Sequence, residues 1–229
     1  MSKILILILA VVASCGFNAW PSAATCVIPP GFIDTPHPAI APIDQLVSHT
    51  EEIVINRPLA VAVSAADKPL QDAVHRTNSL PGVAGDMSLT PGKFGAPGSR
   101  RLVCLSDGST LEEQSLEREQ NNHSYRFRYV VWNYTTPQAR PIEYGVGEFL
   151  YSDMSEASTR VHWTYSFALN RDRFPGYLGS FGDFLFRVGF LDRQYADLMR
   201  GTLKGLKSDA ESRSMAARKQ LNSCRRGFL

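Results

Sequence analysis

The chain has 229 residues, with 44% hydrophobic and 10% aromatic side chains, and its formal net charge is +2 at neutral pH. This apolar content is too high for a disordered chain, and the length suits one full domain with short extensions. A charge so near zero argues against a dedicated nucleic-acid-binding protein, which carries a concentrated basic surplus. Four cysteines in a chain of this length do not make a disulfide-rich miniprotein.

Residues 1–24 have the pattern of a secretory signal peptide. Lys3 supplies a positive charge, and Ile4–Ala13 is an uninterrupted apolar run. That run is too short to span a bilayer as a helix, for which about 20 residues are needed. Two processing sites compete: cleavage after Ala24, or a lipoprotein-type signal that ends before Cys15, which would then carry the lipid. Both alternatives predict an exported domain, either in the periplasm or anchored to a membrane and facing the periplasm.

Residues 25–47 are predicted to form a proline-rich arm, because five prolines preclude a regular helix or a central strand there. The arm can serve as a semi-rigid spacer or lie on the surface of the domain. Export to an oxidising compartment permits disulfide bonds. Cys26 and Cys224 lie near the two ends of the domain and are the natural pair, whereas Cys104 is expected to be an unpaired thiol in a core strand.

The domain itself is predicted over residues 48–210, in the order strand, two short helices, several strands and one long helix. A first strand covers residues 48–56, and two helices fit between Leu59 and His75. Further strands are expected at residues 101–105, 110–119, 123–134, 144–153 and 159–169. Two of these strands alternate strictly between apolar and polar residues, which indicates a sheet with one buried face. The predicted buried positions are Tyr125, Phe127, Tyr129, Val131, Val161, Trp163, Tyr165 and Phe167.

A long C-terminal helix is indicated by apolar side chains that recur at three- and four-residue steps from Phe184 to Leu206. Residues 211–229 are assigned to a basic tail. After Leu203 the chain carries seven basic and two acidic residues, a net charge of +5. Such a tail can attract anionic lipid. Alternatively, it is a solvated helix end, where cations near the C-terminus are stabilised by the helix dipole.

Four segments, in this order, resemble motifs of the polyketide cyclase/dehydrase-like branch of the START/SRPBCC superfamily. They are Arg101–Glu113, in which an Asp-Gly turn precedes a glutamate, then Tyr125–Tyr129, Thr159–Phe167 and Leu203–Lys207. The resemblance covers residues 48 to about 210. It implies an α+β helix-grip (START-like) fold, in which a curved antiparallel sheet wraps around a long C-terminal helix. The first helix departs from the family pattern, because Ala60–Val63 contains no aromatic residue.

The resemblance also implies a cavity between the sheet and the long helix, which relatives use for lipids, sterols, polyketides and other apolar molecules. The residues expected to bind such a ligand are Arg101, Glu113, Tyr125, Phe127, Tyr129, Glu148, Trp163 and Tyr165. Glu113 shares its strand parity with Leu111, and Glu148 shares its parity with Val146, so both carboxylates are expected to face inward. A buried carboxylate needs a partner, for which Arg101 is a candidate. Alternatively, the aromatic residues are plain core and the glutamates lie at a solvated strand end.

Three functions remain open from the sequence. The first is binding or transport of a hydrophobic small molecule or lipid, with no cofactor and no obvious catalytic machinery. The second is an enzyme of the cyclase or dehydratase type, in which Glu113 or Tyr129 moves a proton. The third is a ligand-free interaction module that uses the arm and the tail. Membrane association would come from a lipid on Cys15 or from the basic tail, and the five histidines show no metal-binding spacing.

Overall fold

The computed structural model describes the backbone of residues 26–226 and the side chains of residues 26–212. The predicted signal peptide, residues 1–24, and the candidate lipid-bearing Cys15 lie outside the described residues. Within the described part of the chain, no helix combines the length and the apolar character that a bilayer-spanning helix requires.

Seven strands form one antiparallel sheet. They are β1 (Val47–Ile55), β2 (Val83–Ser88), β3 (Arg100–Leu105), β4 (Thr110–Gln120), β5 (Ser124–Trp132), β6 (Ile142–Ser155) and β7 (Ser158–Leu169). Their order across the sheet is β1-β7-β6-β5-β4-β3-β2. All predicted strands are present, and each begins and ends within two residues of its expected bounds. Strand β2 was not predicted, because Gly85 and Asp86 interrupt any run of strand-forming residues.

The inner face of the sheet carries the main core. On β5 and β7 the side chains with the predicted parity point inward, among them Tyr125, Tyr129, Trp163 and Phe167. Each of these four is less than 9% exposed. The alternation seen in the sequence therefore identified the inner face of both strands.

The helices lie on this inner face. They are α1 (Leu59–Ala65), α2 (Leu70–Ala73), α3 (Ser180–Phe186), a π-helical segment (Arg187–Tyr195) and α4 (Ala196–Arg226). Helix α4 buries Met199, Leu203 and Leu206 in the main core, as its spacing predicts. The fold class is therefore the predicted one: a curved antiparallel sheet closed by a long C-terminal helix.

One prediction about the C-terminal helix is wrong. Phe184 is 56% exposed, and the neighbouring Phe186 is buried instead. The intervening π-helical segment has more residues per turn than an α-helix, so the apolar stripe changes phase there. Helix α4 continues through the predicted basic tail to Arg226, and the Glu211 carboxylate accepts a hydrogen bond from the Asn56 backbone N–H at 3.0 Å.

The described part of the proline-rich arm lies on the outer face of the sheet. The indole N–H of Trp132 donates to the Thr35 carbonyl at 3.1 Å, and the Ala41 N–H donates to the Tyr144 hydroxyl at 2.8 Å. Arg100 forms an ion pair with Asp34. The arm covers a second apolar cluster, formed by Val130, Trp132, Tyr144 and Val146 with Ile40 and Leu46. Both faces of the sheet are thus partly buried at this end.

A disulfide bond joins Cys26 to Cys104, with 5.5 Å between their Cα atoms. The predicted Cys26–Cys224 pair is therefore wrong, and so is the unpaired thiol at Cys104. Cys104 lies on the outer face of β3, which the arm crosses, so the first described residue of the arm meets it there. Sequence spacing gave no sign of this, because the two cysteines are 78 residues apart.

We expect Cys104→Ser to lower the free energy of unfolding by about 2–4 kcal/mol, because the bond restricts a long loop of the unfolded chain. Urea denaturation monitored by circular dichroism measures this loss. Cys224→Ser is the matched control and should leave the midpoint unchanged. Peptide mapping without reducing agent that linked Cys26 to Cys224 would contradict the pairing.

Candidate functional site

A cavity of about 580 Å³ lies between the inner face of the sheet, helices α1 and α2, and helix α4. This volume is within the range of small-molecule binding sites. Its lining includes Val63, Leu70, Asp86, Phe94, Arg101, Glu113, Tyr125, Phe127, Tyr129, Phe149, Tyr151, Trp163, Thr202 and Leu206. A cavity of this size is what the ligand-binding hypothesis requires, whereas a plain core would be solid.

Seven aromatic residues contribute to the apolar wall. The rings of Phe149 and Trp163 stack with their centroids 4.7 Å apart, and those of Phe127 and Tyr129 stack at 5.5 Å. Tyr125 meets Tyr151 edge-on at 5.6 Å. Four of the predicted site residues, Tyr125, Phe127, Tyr129 and Trp163, are therefore brought together here. Offset-stacked and edge-on arrangements are the favoured geometries of aromatic pairs, so the rings pack against one another as well as line the cavity.

Arg101 and Glu113 place a buried ion pair in this wall. They face each other across the β3–β4 ladder, and both Nε and Nη2 of Arg101 lie 2.8 Å from Glu113 Oε2. The guanidinium also lies over the Phe94 ring, 3.8 Å from its centroid, and 3.7 Å from the Asp86 carboxylate. Glu113 Oε1 accepts no hydrogen bond from the described residues. The pair predicted from strand parity thus lines the cavity with one carboxylate oxygen left for a ligand.

Burial raises the pKa of the Glu113 carboxyl above its ordinary value, and the neighbouring Arg101 opposes that rise. The folded state therefore keeps this proton at pH values at which the unfolded chain has lost it. The resulting stabilisation is complete below the ordinary carboxyl pKa and is lost as the pH rises through the folded-state pKa.

We expect the free energy of unfolding of the unaltered chain, relative to that of Glu113→Gln, to decrease as the pH rises from the ordinary carboxyl pKa through the folded-state pKa of Glu113. Urea denaturation of both proteins between pH 4 and pH 8 measures the difference. The glutamine keeps the shape of the side chain and removes the titration, so the two curves should separate only through Glu113. A difference that stays constant or grows with pH would contradict the raised pKa.

Two hydroxyl groups add polar contacts to the cavity. The indole N–H of Trp163 donates to the Tyr129 hydroxyl at 3.2 Å. Burial raises the pKa of Tyr129, so this phenol keeps its proton at neutral pH and can donate a hydrogen bond, but it cannot serve as a base. On α4, Thr202 Oγ1 is buried and has no hydrogen-bond partner among the described residues. A buried hydroxyl without a partner is costly, and a ligand can satisfy it.

Thr202 was missed as a site residue because it falls within the apolar stripe of the long helix and was counted as part of it. The available signal was its polarity, because Thr202 and Tyr195 are the two hydroxyl-bearing residues of that stripe. Asp86 and Phe94, which flank Arg101, lie on β2 and on the loop that follows it. Since β2 was not predicted, nothing in the sequence placed them beside the cavity.

Two predicted site residues do not reach the cavity. Glu148 lies on the outer face of β6, where Arg126 Nη2 donates to its carboxylate at 2.7 Å. Its parity with Val146 was correct, but Val146 is buried under the arm and not in the main core. Tyr165 faces inward, yet its ring packs against Tyr195 at 4.7 Å, beyond the end of the cavity.

The rim of the cavity is charged. Lys93 Nζ, on the β2–β3 loop, lies 2.5 Å from Asp67 Oδ1 on the α1–α2 connection. Lys68, on the same connection, pairs with Asp209 of α4. Lys93 and Asp67 are largely exposed, so this side of the cavity opens to solvent at the end of the sheet where β4 meets β5. An apolar interior behind a hydrated rim suits a ligand that enters from water.

No family model matches the sequence, and no curated protein sequence matches it. Among solved structures, the di-domain ARO/CYC StfQ from the steffimycin biosynthetic pathway superposes with a TM-score of 0.52 and 15% identity, over 75% of this chain and 53% of that one. The hypothetical protein jhp0584 from Helicobacter pylori gives a TM-score of 0.50 and 13% identity, over 78% of this chain and 99% of that one. The di-domain ARO/CYC BexL from the BE-7585A biosynthetic pathway gives 0.48 and 14%, over 72% and 46%.

The chain spans about half the length of the two di-domain ARO/CYC proteins that it resembles. At 13–15% identity the likeness concerns the fold alone. The observed sheet order and the long C-terminal helix agree with it. The chain therefore has a helix-grip fold, in which a curved antiparallel sheet is closed by a long C-terminal helix, as in the structure of StfQ.

Proposed function

We propose that this domain binds or carries a hydrophobic small molecule or lipid in the cavity between the sheet and α4. The observation that carries the proposal is the cavity itself: about 580 Å³, walled by aromatic rings and furnished with a few polar groups. A cavity with apolar walls and a few polar groups is typical of ligand-binding sites, whereas an ordinary hydrophobic core is close-packed. Burial of an apolar ligand supplies the affinity, and the polar groups fix its orientation.

The polar groups define the chemistry of the ligand further. Tyr129 and Arg101 offer hydrogen-bond donors to a carbonyl or hydroxyl oxygen, and Glu113 Oε1 offers an acceptor. Thr202 approaches from α4, on the opposite side of the cavity. An amphipathic molecule with an apolar ring system or chain and at least one oxygen substituent satisfies these groups. A pure hydrocarbon would leave the Arg101–Glu113 pair without a partner in the cavity.

A proton-transferring enzyme is the second candidate, and one observation favours it. Glu113 is a buried carboxyl group of raised pKa that lines the cavity, which is the usual setting of a general acid or base. Tyr129 would then act by donating a hydrogen bond to a carbonyl oxygen. With a turnover assay for a bound carbonyl compound, Glu113→Gln should abolish turnover if the domain is an enzyme. A carrier would keep its affinity within a few-fold in the same variant.

Binding can be tested with the anionic apolar dye 8-anilinonaphthalene-1-sulfonate and with a phospholipid extract. Dye fluorescence and native mass spectrometry of the intact protein report occupancy. Ala73→Phe introduces a ring at the cavity wall and should weaken dye binding at least tenfold. Ala157→Phe, at the exposed β6–β7 turn, is the matched control and should bind as the unaltered chain does.

Two outcomes would contradict the proposal. One is the absence of any bound lipid or dye. The other is binding that Ala73→Phe leaves unchanged, which would place the dye elsewhere. Circular dichroism of both variants establishes that they are folded, so loss of binding cannot be confused with loss of structure.

We also propose that the domain acts after export, in the periplasm or on a membrane facing it. The signal-like residues 1–24 support this, and the Cys26–Cys104 bond suits an oxidising compartment. Cell fractionation and the mass of the N-terminal peptide test it. Cleavage after Ala24 and lipidation of Cys15 predict different masses, and Cys15→Ala should lower the membrane-bound fraction only in the second case.

A further inference from the structure

An exposed aromatic patch lies between β7 and the π-helical segment. It consists of Phe174, Tyr177, Leu178, Phe181 and Phe184. Its four rings are 56–60% exposed. Five large apolar side chains exposed within eleven residues are more than a soluble surface ordinarily carries without a partner.

The segment that carries this aromatic patch is held rigidly. Arg171 Nη1 donates to the Asp183 carboxylate at 2.7 Å and to the Gly176 carbonyl at 3.2 Å. A Cβ atom at Gly176 would lie 2.1 Å from the Asn170 carbonyl oxygen, and one at Gly182 would lie 2.0 Å from the Pro175 carbonyl oxygen. The backbone therefore packs too closely for any side chain at these glycines. The rings are held out from the body by a folded support, so their exposure is not a consequence of a loose loop.

The aromatic patch lies at the same end of the sheet as the point where residues 1–25 join the domain. The patch follows Leu169 at the end of β7, which pairs with Ile142 at the start of β6. Moving across the sheet, this end continues to the β3–β4 turn, beside which Cys104 holds Cys26. The apolar run Ile4–Ala13 and Cys15 precede Cys26 by only a short length of chain. Any attachment of residues 1–25 to a membrane would bring this end of the domain to the bilayer.

We propose that the aromatic patch docks the domain on a phospholipid bilayer, with the rings inserted at the level of the headgroups. Phenylalanine and tyrosine are favoured at that depth. Projecting rings enter a soft bilayer without needing the complementary pockets that a protein partner must provide. From Arg171 to Arg187 the segment carries three arginines and two aspartates, a net charge of only +1. Docking should therefore occur on zwitterionic lipid and depend little on anionic lipid or salt.

This orientation has a consequence for the cavity. Its charged rim, at Lys93 and Asp67, lies at the far end of the strands from the aromatic patch. Strand β7 has 12 residues, which at about 3.3 Å per residue is roughly 40 Å. A domain docked through the patch would keep the rim in the aqueous phase. The ligand would then be exchanged with water or with a soluble partner, and would not be drawn directly from the supporting bilayer.

The test uses the intact chain and vesicles of phosphatidylcholine with brominated acyl chains, which quench tryptophan within the bilayer. Tyr177→Trp places a reporter in the aromatic patch, and Met154→Trp places a matched one near the exposed end of β6, at the opposite end of the sheet. We expect a blue shift and strong quenching for the first reporter only, little changed by 300 mM salt or by added phosphatidylglycerol. Phe181→Ser with Phe184→Ser should reduce that quenching at least fivefold.

The same experiment can overturn the proposal. Equal quenching of both reporters, or no quenching at residue 177, would contradict docking through the aromatic patch. Any vesicle binding would then come from residues 1–25. Binding that requires anionic lipid and disappears at high salt would assign it to the basic tail. A blue shift at residue 177 without vesicles, together with a concentration-dependent dimer in sedimentation velocity, would show that a second copy covers the patch.

Discussion

Replacing Arg101 by methionine is expected to lower the free energy of unfolding by about 3–5 kcal/mol at pH 8, because it leaves the Glu113 carboxylate buried without its partner. The methionine preserves most of the apolar length of the side chain, so the loss reports the missing charge more than a missing volume. Lowering the pH to 5 should reduce the loss, since protonation of Glu113 removes the unpaired charge. Urea denaturation at the two pH values measures both effects.

The outer face of the sheet offers a matched control. Arg126 and Glu148 form a comparable cross-strand pair, but both side chains are about one-third exposed. Arg126→Met should therefore cost about 1 kcal/mol or less. The double variant Arg101→Met with Glu113→Leu should recover most of the stability lost by the single change. Equal losses for Arg101→Met and Arg126→Met would show that burial of the first pair has no special energetic effect.

The sequence predicted the inner face of the sheet because burial there follows a simple period. On β5 and β7 every second residue is apolar, and those residues point to α4. The same reasoning placed Glu113 in the cavity and suggested Arg101 as its partner. These predictions needed only strand pairing and local alternation, which a single chain displays directly.

The sequence could not predict features that depend on the arm. Alternation along a strand shows which residues share a face of the sheet, but it does not show which of the two faces lines the cavity. At the β5–β6 end both faces are buried, the inner one beside α1 and the outer one under the arm, so Val146 and Glu148 were assigned to the wrong side. The Cys26–Cys104 bond escaped prediction for the same reason. Its partners meet only because the arm crosses the outer face near β3.

The site also contains groups whose position depends on long-range packing. Thr202 and Phe94 reach the cavity from α4 and from the β2–β3 loop, and no local pattern indicates that these elements meet there. The π-helical segment is another such feature, because it changes which apolar residues of the C-terminal helix face the sheet. Its effect is visible in the exposed Phe184, which became part of the aromatic patch.

Gly147→Val is expected to weaken binding of the anilinonaphthalene dye at least a hundredfold and to lower the free energy of unfolding by about 1–3 kcal/mol. Gly147 lies on β6 directly opposite Tyr129. A Cβ atom there would lie 2.1 Å from Tyr129 Cζ and 2.4 Å from its hydroxyl oxygen. The tyrosine ring must therefore leave the strand surface. The open space beside it is the cavity, so the displaced ring would break the hydrogen bond from Trp163 and occupy the ligand's place.

A control and a rescue distinguish this mechanism from a general loss of stability. Gly201→Ala lies on α4, where an added Cβ meets no atom within 4 Å. It should leave dye binding unchanged and raise the free energy of unfolding by up to about 1 kcal/mol, because alanine favours a helix. Adding Tyr129→Ala to Gly147→Val removes the displaced ring and should restore most of the affinity for the dye. If the double variant binds as weakly as Gly147→Val, the ring does not fill the cavity, and the close contact between Gly147 and Tyr129 does not shape the site.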